Sequence, residues 1–147
     1  MMDCIYQQNV PVSHTGDVGE YPLGSAVIPA GIMGIGGQLR INFAYSHDNS
    51  INNKTFRAYF GGALVYTDIE NTNSLNQSYT MRIRNQNSYS AQLVSSNSEW
   101  TPALFNPDAA IAINTGISQI FLFTGQLANA GGTLSLDSMT IEVLRAG

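Results

Sequence analysis

Residues 28–47 read Ile-Pro-Ala-Gly-Ile-Met-Gly-Ile-Gly-Gly-Gln-Leu-Arg-Ile-Asn-Phe-Ala-Tyr-Ser-His, and residues 53–60 read Asn-Lys-Thr-Phe-Arg-Ala-Tyr-Phe. Leu39, Ile41, Phe43 and Tyr45 alternate with Arg40, Asn42, Ala44 and Ser46. Side chains switch faces at every residue of a strand, so this alternation gives an antiparallel strand with one face buried. The glycines at 34, 36 and 37 form a tight turn before it. The Asn-rich segment 47–53 reverses the chain, and a second strand returns. The stretch sets the fold class: an all-β domain.

Working outward, strand and turn signals recur. Strands are expected at 25–28, 38–47, 54–61, 63–69, 79–84, 89–94, 110–114, 117–127 and 133–144. The intervening turns are rich in Asn, Gly and Ser, which tolerate left-handed backbone or bond their own main chain. Short strands at this spacing predict an antiparallel β-sandwich of jelly-roll type over residues 25–147. Glu99 to Pro107, with Trp100, reads as a crossover between sheets, and Asp108 to Ala112 as one helical turn. Alternation assigns a core that includes Leu39, Ile41, Phe43, Phe56, Phe60, Met81, Ile83, Leu93, Ile120, Leu122, Leu134, Leu136, Ile141 and Val143. Residues 120–123 are apolar on both faces. Such a strand is either central or turns its outer face to another subunit.

Residues 1–24 show no sustained period. Pro11 and Pro22 argue against a central strand. The segment reads as an extended N-terminal arm with a short edge strand near residues 5–10. It either docks on a neighbour or forms a partly disordered tail.

Composition narrows the function. The net charge is −4 and only 11% of residues are charged, against about 25% in a typical globular domain. Lys54 is the only lysine, and the arginines form no stripe. Nucleic-acid binding depends on neutralising phosphates, so it is disfavoured. No apolar run is long enough for a membrane span, and the first residues lack signal-peptide features. Synthesis in a cytosol is expected. Cys4, the only cysteine, gives no internal disulfide or cysteine-based zinc site; it is a free thiol or an intermolecular one.

The candidate chemistry is thin. His14 and His47 lack partners for a zinc site or a triad. The run Gly34-Ile35-Gly36-Gly37 precedes a strand instead of opening a helix, so it fails the context for nucleotide binding. The 47–53 loop offers oxygen ligands but lacks the Gly and terminal Glu of an EF-hand; an Asx turn is expected there. Asp68 and Glu70 would share a face if their strand reaches them, with nothing nearby to raise a carboxyl pKa. Arg82 and Arg84 leave one face of a strand, toward solvent or toward a partner. No catalytic residue, metal or cofactor is expected.

The order of motifs resembles a jelly-roll domain of tailed-bacteriophage virion proteins. The matching residues are Ile28-Pro29-Ala30-Gly31, Gly37-Gln38-Leu39-Arg40-Ile41, Asn52 to Arg57, the Gly61-Gly62 turn, Arg82 to Ser88, Thr124 to Ala128, and Thr133 to Val143. That family includes head-decoration (cement) and tail or fibre domains, often trimeric. The resemblance implies a non-enzymatic homotrimer bound to the major capsid protein on the capsid surface. With no fibre repeat or coiled coil, the chain is expected to be a decoration protein. The alternative is a receptor- or glycan-binding tip of a tail fibre or spike. Tyr6, Val10, Val12 and Tyr21 are expected to touch the capsid. Arg82, Arg84, Phe121 and Phe123 are expected to form the trimer interface.

Overall fold

In the computed structural model the described residues are 2–71, 76–97 and 109–146, without the side chains of 96 and 97. They form β1 (Met2–Gln8), β2 (Val12–Thr15), β3 (Glu20–Ile28), β4 (Gln38–His47), β5 (Lys54–Phe60), β6 (Ala63–Glu70), β7 (Asn76–Asn85), β8 (Gln92–Asn97), β9 (Ala109–Ile111), β10 (Gln119–Leu127) and β11 (Thr133–Leu144). There is no helix among them. The expected 99–107 crossover lies outside the described residues. The helical turn expected at 108–112 is corrected over its described part, because Ala109–Ile111 pairs with β8 as a strand.

Two antiparallel sheets make a sandwich of jelly-roll type. The larger runs β1-β11-β4-β7-β8-β9, with β2 also paired to β11, and the smaller runs β3-β10-β5-β6. Sequence neighbours such as β3 and β4, or β10 and β11, lie in opposite sheets. This interleaving buries both inner faces at once.

The opening stretch behaves as its pattern requires. Leu39, Ile41, Phe43 and Tyr45 are at most 1% exposed, and β4 pairs β7 on one side and β11 on the other. The turn before β4 tolerates no side chain at Gly37: a Cβ there would lie 1.9 Å from the Met33 carbonyl oxygen and 2.5 Å from that of Leu144. The inner faces meet in an aromatic cluster. Tyr45 and Phe56 ring centroids lie 4.1 Å apart, and Phe43 lies 5.0 Å from both Phe123 and Tyr66. Each such ring, fully buried, contributes roughly 1.5–3 kcal/mol.

Met2–Gln8, Val12–Thr15 and the first half of Glu20–Ile28 are extended, and they lie on the chain's own sandwich. β1 and β2 follow one another along the same edge of β11, and β3 begins at Glu20, earlier than expected. Edge strands accept proline because one row of N–H groups needs no partner; Pro22 sits in edge strand β3 and Pro11 between β1 and β2. β1, β2 and β3 are thus strands of the sandwich's own two sheets.

Core assignments on two strands are corrected. On β10, Phe121 and Phe123 are fully buried, whereas Ile120 is 53% exposed and Leu122 half-buried. On β8, Val94 is buried and Leu93 is half-exposed. In both places apolar residues are adjacent, so alternation alone leaves the face undetermined.

Candidate functional site

The phase of β10 leaves an apolar surface outside the sandwich. The outer face of the small sheet carries Val27 opposite Ile120, and Leu122 opposite Tyr59, which in turn faces Leu64. Val27 is 62% exposed and Leu64 52%. Cross-strand partners stand about 5 Å apart, so these residues form one continuous apolar band across four strands. Past it the same face becomes polar and tied down. Glu20 accepts from Tyr59 Oη and Thr124 Oγ1, both at 2.7 Å, and from Arg57 Nη1 at 3.3 Å. Arg57 also donates to Gln126 Oε1 at 2.7 Å. An apolar centre beside a satisfied polar margin is the anatomy of a protein interface.

Of the residues expected at a trimer interface, Phe121 and Phe123 are not on any surface; they face the core because β10 has the opposite phase. Arg82 and Arg84 leave the outer face of β7, in the large sheet, across the sandwich from the apolar band. The structure does not bring the four together. Among the expected capsid contacts, Tyr6 and Val12 are half-buried against the chain's own core. Val10 is 75% exposed. Tyr21 is exposed and stacks on the His14 ring at 4.2 Å.

A second feature lies between the sheets, at one end of the aromatic cluster. Tyr45 Oη donates to Asp68 Oδ2, and Tyr45 and Tyr66 hydroxyls are 2.7 Å apart. With Tyr45 donating to the carboxylate, Tyr66 donates to Tyr45. Burial pushes both phenols well above their ordinary pKa. Desolvation, with the charge of Glu70, also pushes Asp68 up to about 6, despite the opposing Tyr45 hydrogen bond and His47. The expectation that no carboxyl here is perturbed is thus corrected: β6 continues to Glu70, and Asp68 points inward beside it.

This gives a signed pH dependence. The native state holds the Asp68 proton to about pH 6, whereas the unfolded chain releases it near the model-peptide value of about 3.9. Stability therefore falls as pH rises through that window. Glu20 works the other way: desolvation raises its pKa, but the Tyr59 and Thr124 hydrogen bonds and Arg57 hold it below normal on balance. Its contribution is present above pH ~4.5 and is lost as pH falls through its folded value. Denaturant unfolding should show the Asp68→Asn variant losing about 1–2 kcal/mol of the fall between pH 4.5 and 6.5, after discounting for solvent screening. An unchanged slope would contradict the assignment.

The 47–53 loop holds its own cation. Lys54 is fully buried, donates from Nζ to the Ser50 carbonyl at 2.7 Å, and lies 3.3 Å from Asp48 Oδ1. The oxygens weighed as calcium ligands are thus collected by an ammonium. Nothing in the loop's sequence distinguishes this from an Asx turn, because the lysine lies just beyond it. No cluster of three or more metal-ligating carboxylate, His or Cys groups occurs among the described residues.

No protein-family model and no curated protein matches the chain. Solved structures similar to it include the CBM2 module of the evolved Dit of Lactobacillus casei BL23 phage J-1 (8% identity, TM-score 0.45, 96% of this chain and 95% of that one). Winged bean acidic lectin in complex with methyl-α-D-galactose is another (8%, 0.45, 97% and 98%). A family 35 carbohydrate-binding module from Clostridium thermocellum is a third (11%, 0.39, 99% and 99%). Likenesses this low carry no argument about function.

Proposed function

We propose that the chain is a non-enzymatic structural protein of a phage virion, a capsid decoration protein that self-associates as a trimer and clamps the major capsid protein shell from outside. The observation that carries this reading is the exposed apolar band of Val27, Ile120, Leu122, Tyr59 and Leu64. Monomeric proteins rarely leave such a band uncovered. Three copies turning it toward a common axis would bury it in a closed assembly. The low charge and the order of virion-type motifs support the same reading. Tyr21 and Val18, both exposed, would supply the shell contact. Joining three weak contacts in one trimer raises avidity by roughly 10²–10⁴.

Co-sedimentation with shells assembled from the major capsid protein tests this. The chain should pellet with the shells and raise the temperature at which they break. A chain that stays in the supernatant, and that antibody labels at tail tips on intact virions, would instead favour a receptor-binding fibre domain.

A further inference from the structure

β1 and β2 are one edge strand interrupted at residues 9–11. Gln8 pairs with Met139 and Val12 with Leu136, so Asp137 and Ser138 have no partner on that side. Pro11 lies in the break and has no N–H to donate. On its other side β11 slips register against β4 between Leu136 and Ser138. Asp137 is the extra residue of this β-bulge, and bulges re-aim the side chain they carry.

Its carboxylate comes to rest over a row of hydroxyls. Ser13, Ser135 and Ser46 are register partners on neighbouring strands β2, β11 and β4. Ser135 Oγ donates to Asp137 Oδ1 at 3.0 Å and Ser46 Oγ to the same oxygen at 3.1 Å. That fixes the carboxylate and leaves Oδ2 without a hydrogen-bond partner among the described residues. Around this group the outer face of the large sheet sinks into an open groove of about 500 Å³, with Pro11 and Thr133 also in its lining. Small-molecule sites commonly fall in the range of about 300–1,000 Å³.

The lining selects a ligand class. It contains His47 but no arginine or lysine; Asp48 is paired with the buried Lys54, and Asp137 carries the unpaired negative charge, so phosphate, sulfate and carboxylate ligands are repelled at Asp137. No metal-ligating cluster is present among the described residues. A fixed carboxylate accepts hydroxyl donors, serine and threonine hydroxyls both donate and accept, and the Pro11 ring offers C–H surface. We infer that the bulge-built groove at Asp137 binds a neutral sugar. It lies on the sheet opposite the apolar band, so it is independent of self-association.

The test is an amide NMR titration of the full chain with the methyl glycosides of galactose, glucose, mannose and N-acetylglucosamine. Saturable, millimolar shifts at Ser46, Ser135 and their neighbours are expected for at least one sugar. Ser13→Phe fills the groove from an exposed position without touching Asp137, and should weaken binding about tenfold or more. Asp137→Ala should do the same. The Ile120→Asp, Leu122→Asp double variant, which disrupts the apolar band, should bind the sugar as the unaltered chain does. The inference is overturned by no saturable shift with any of the four sugars, by shifts that map elsewhere, or by full affinity in Ser13→Phe.

Discussion

Replacing Phe123 with alanine should destabilise the fold by about 3–5 kcal/mol, the range for a buried phenylalanine truncated in a packed core. Phe123 is fully buried, and its ring lies 5.0 Å from Phe43, 5.7 Å from Tyr45 and 6.1 Å from Phe56. Truncation would therefore open a cavity bounded by both sheets, where well-packed neighbours collapse only partly. A domain is stable by only about 5–15 kcal/mol in all, so the variant should unfold well below the parent in denaturant. If Phe123 faced outward, as the sequence reading placed it, the loss would stay within about 0.5 kcal/mol. Denaturant melts of the two proteins separate these outcomes.

The opposite signature is expected on the outward phase of the same strand. Changing Ile120 and Leu122 together to aspartate should leave secondary structure intact, because both side chains leave the outer face of β10. What should be lost is self-association. Two carboxylates placed in an apolar contact would need desolvation without partners, a penalty of several kcal/mol. That is enough to dissociate an assembly held by weak individual contacts. The variant should therefore elute as a folded single chain and fail to pellet with capsid shells. Unfolding of the double variant would mean that these residues belong to the core. Retained assembly would mean that copies meet elsewhere.

The contrast between neighbours on β10 shows where sequence reasoning stops. On β4 polar and apolar residues alternate cleanly, so strand, phase and core residues were all legible. On β10 the run Ile-Phe-Leu-Phe has no polar residue to mark the outside, and only the partner sheet decides which pair is buried. Leu93 and Val94 pose the same problem on β8. Pro11 and Pro22 concealed β2 and the first half of β3, because proline warns against a central strand and says little about an edge. The bulge at Asp137 breaks the alternation of β11, and its serine partners come from positions 46 and 135, joined only by strand register. The Asp68 site depends on β6 facing Tyr45 across the sandwich, a relation no local pattern encodes. Strand and turn chemistry is local and was legible; surfaces and sites assembled across strands were not.

The most direct test of the central claim, that the outer face of the small sheet joins copies of this chain, is the mass of the unaltered protein in solution. Light scattering across a concentration series should give three times the chain mass. A single-chain mass at every concentration would contradict it.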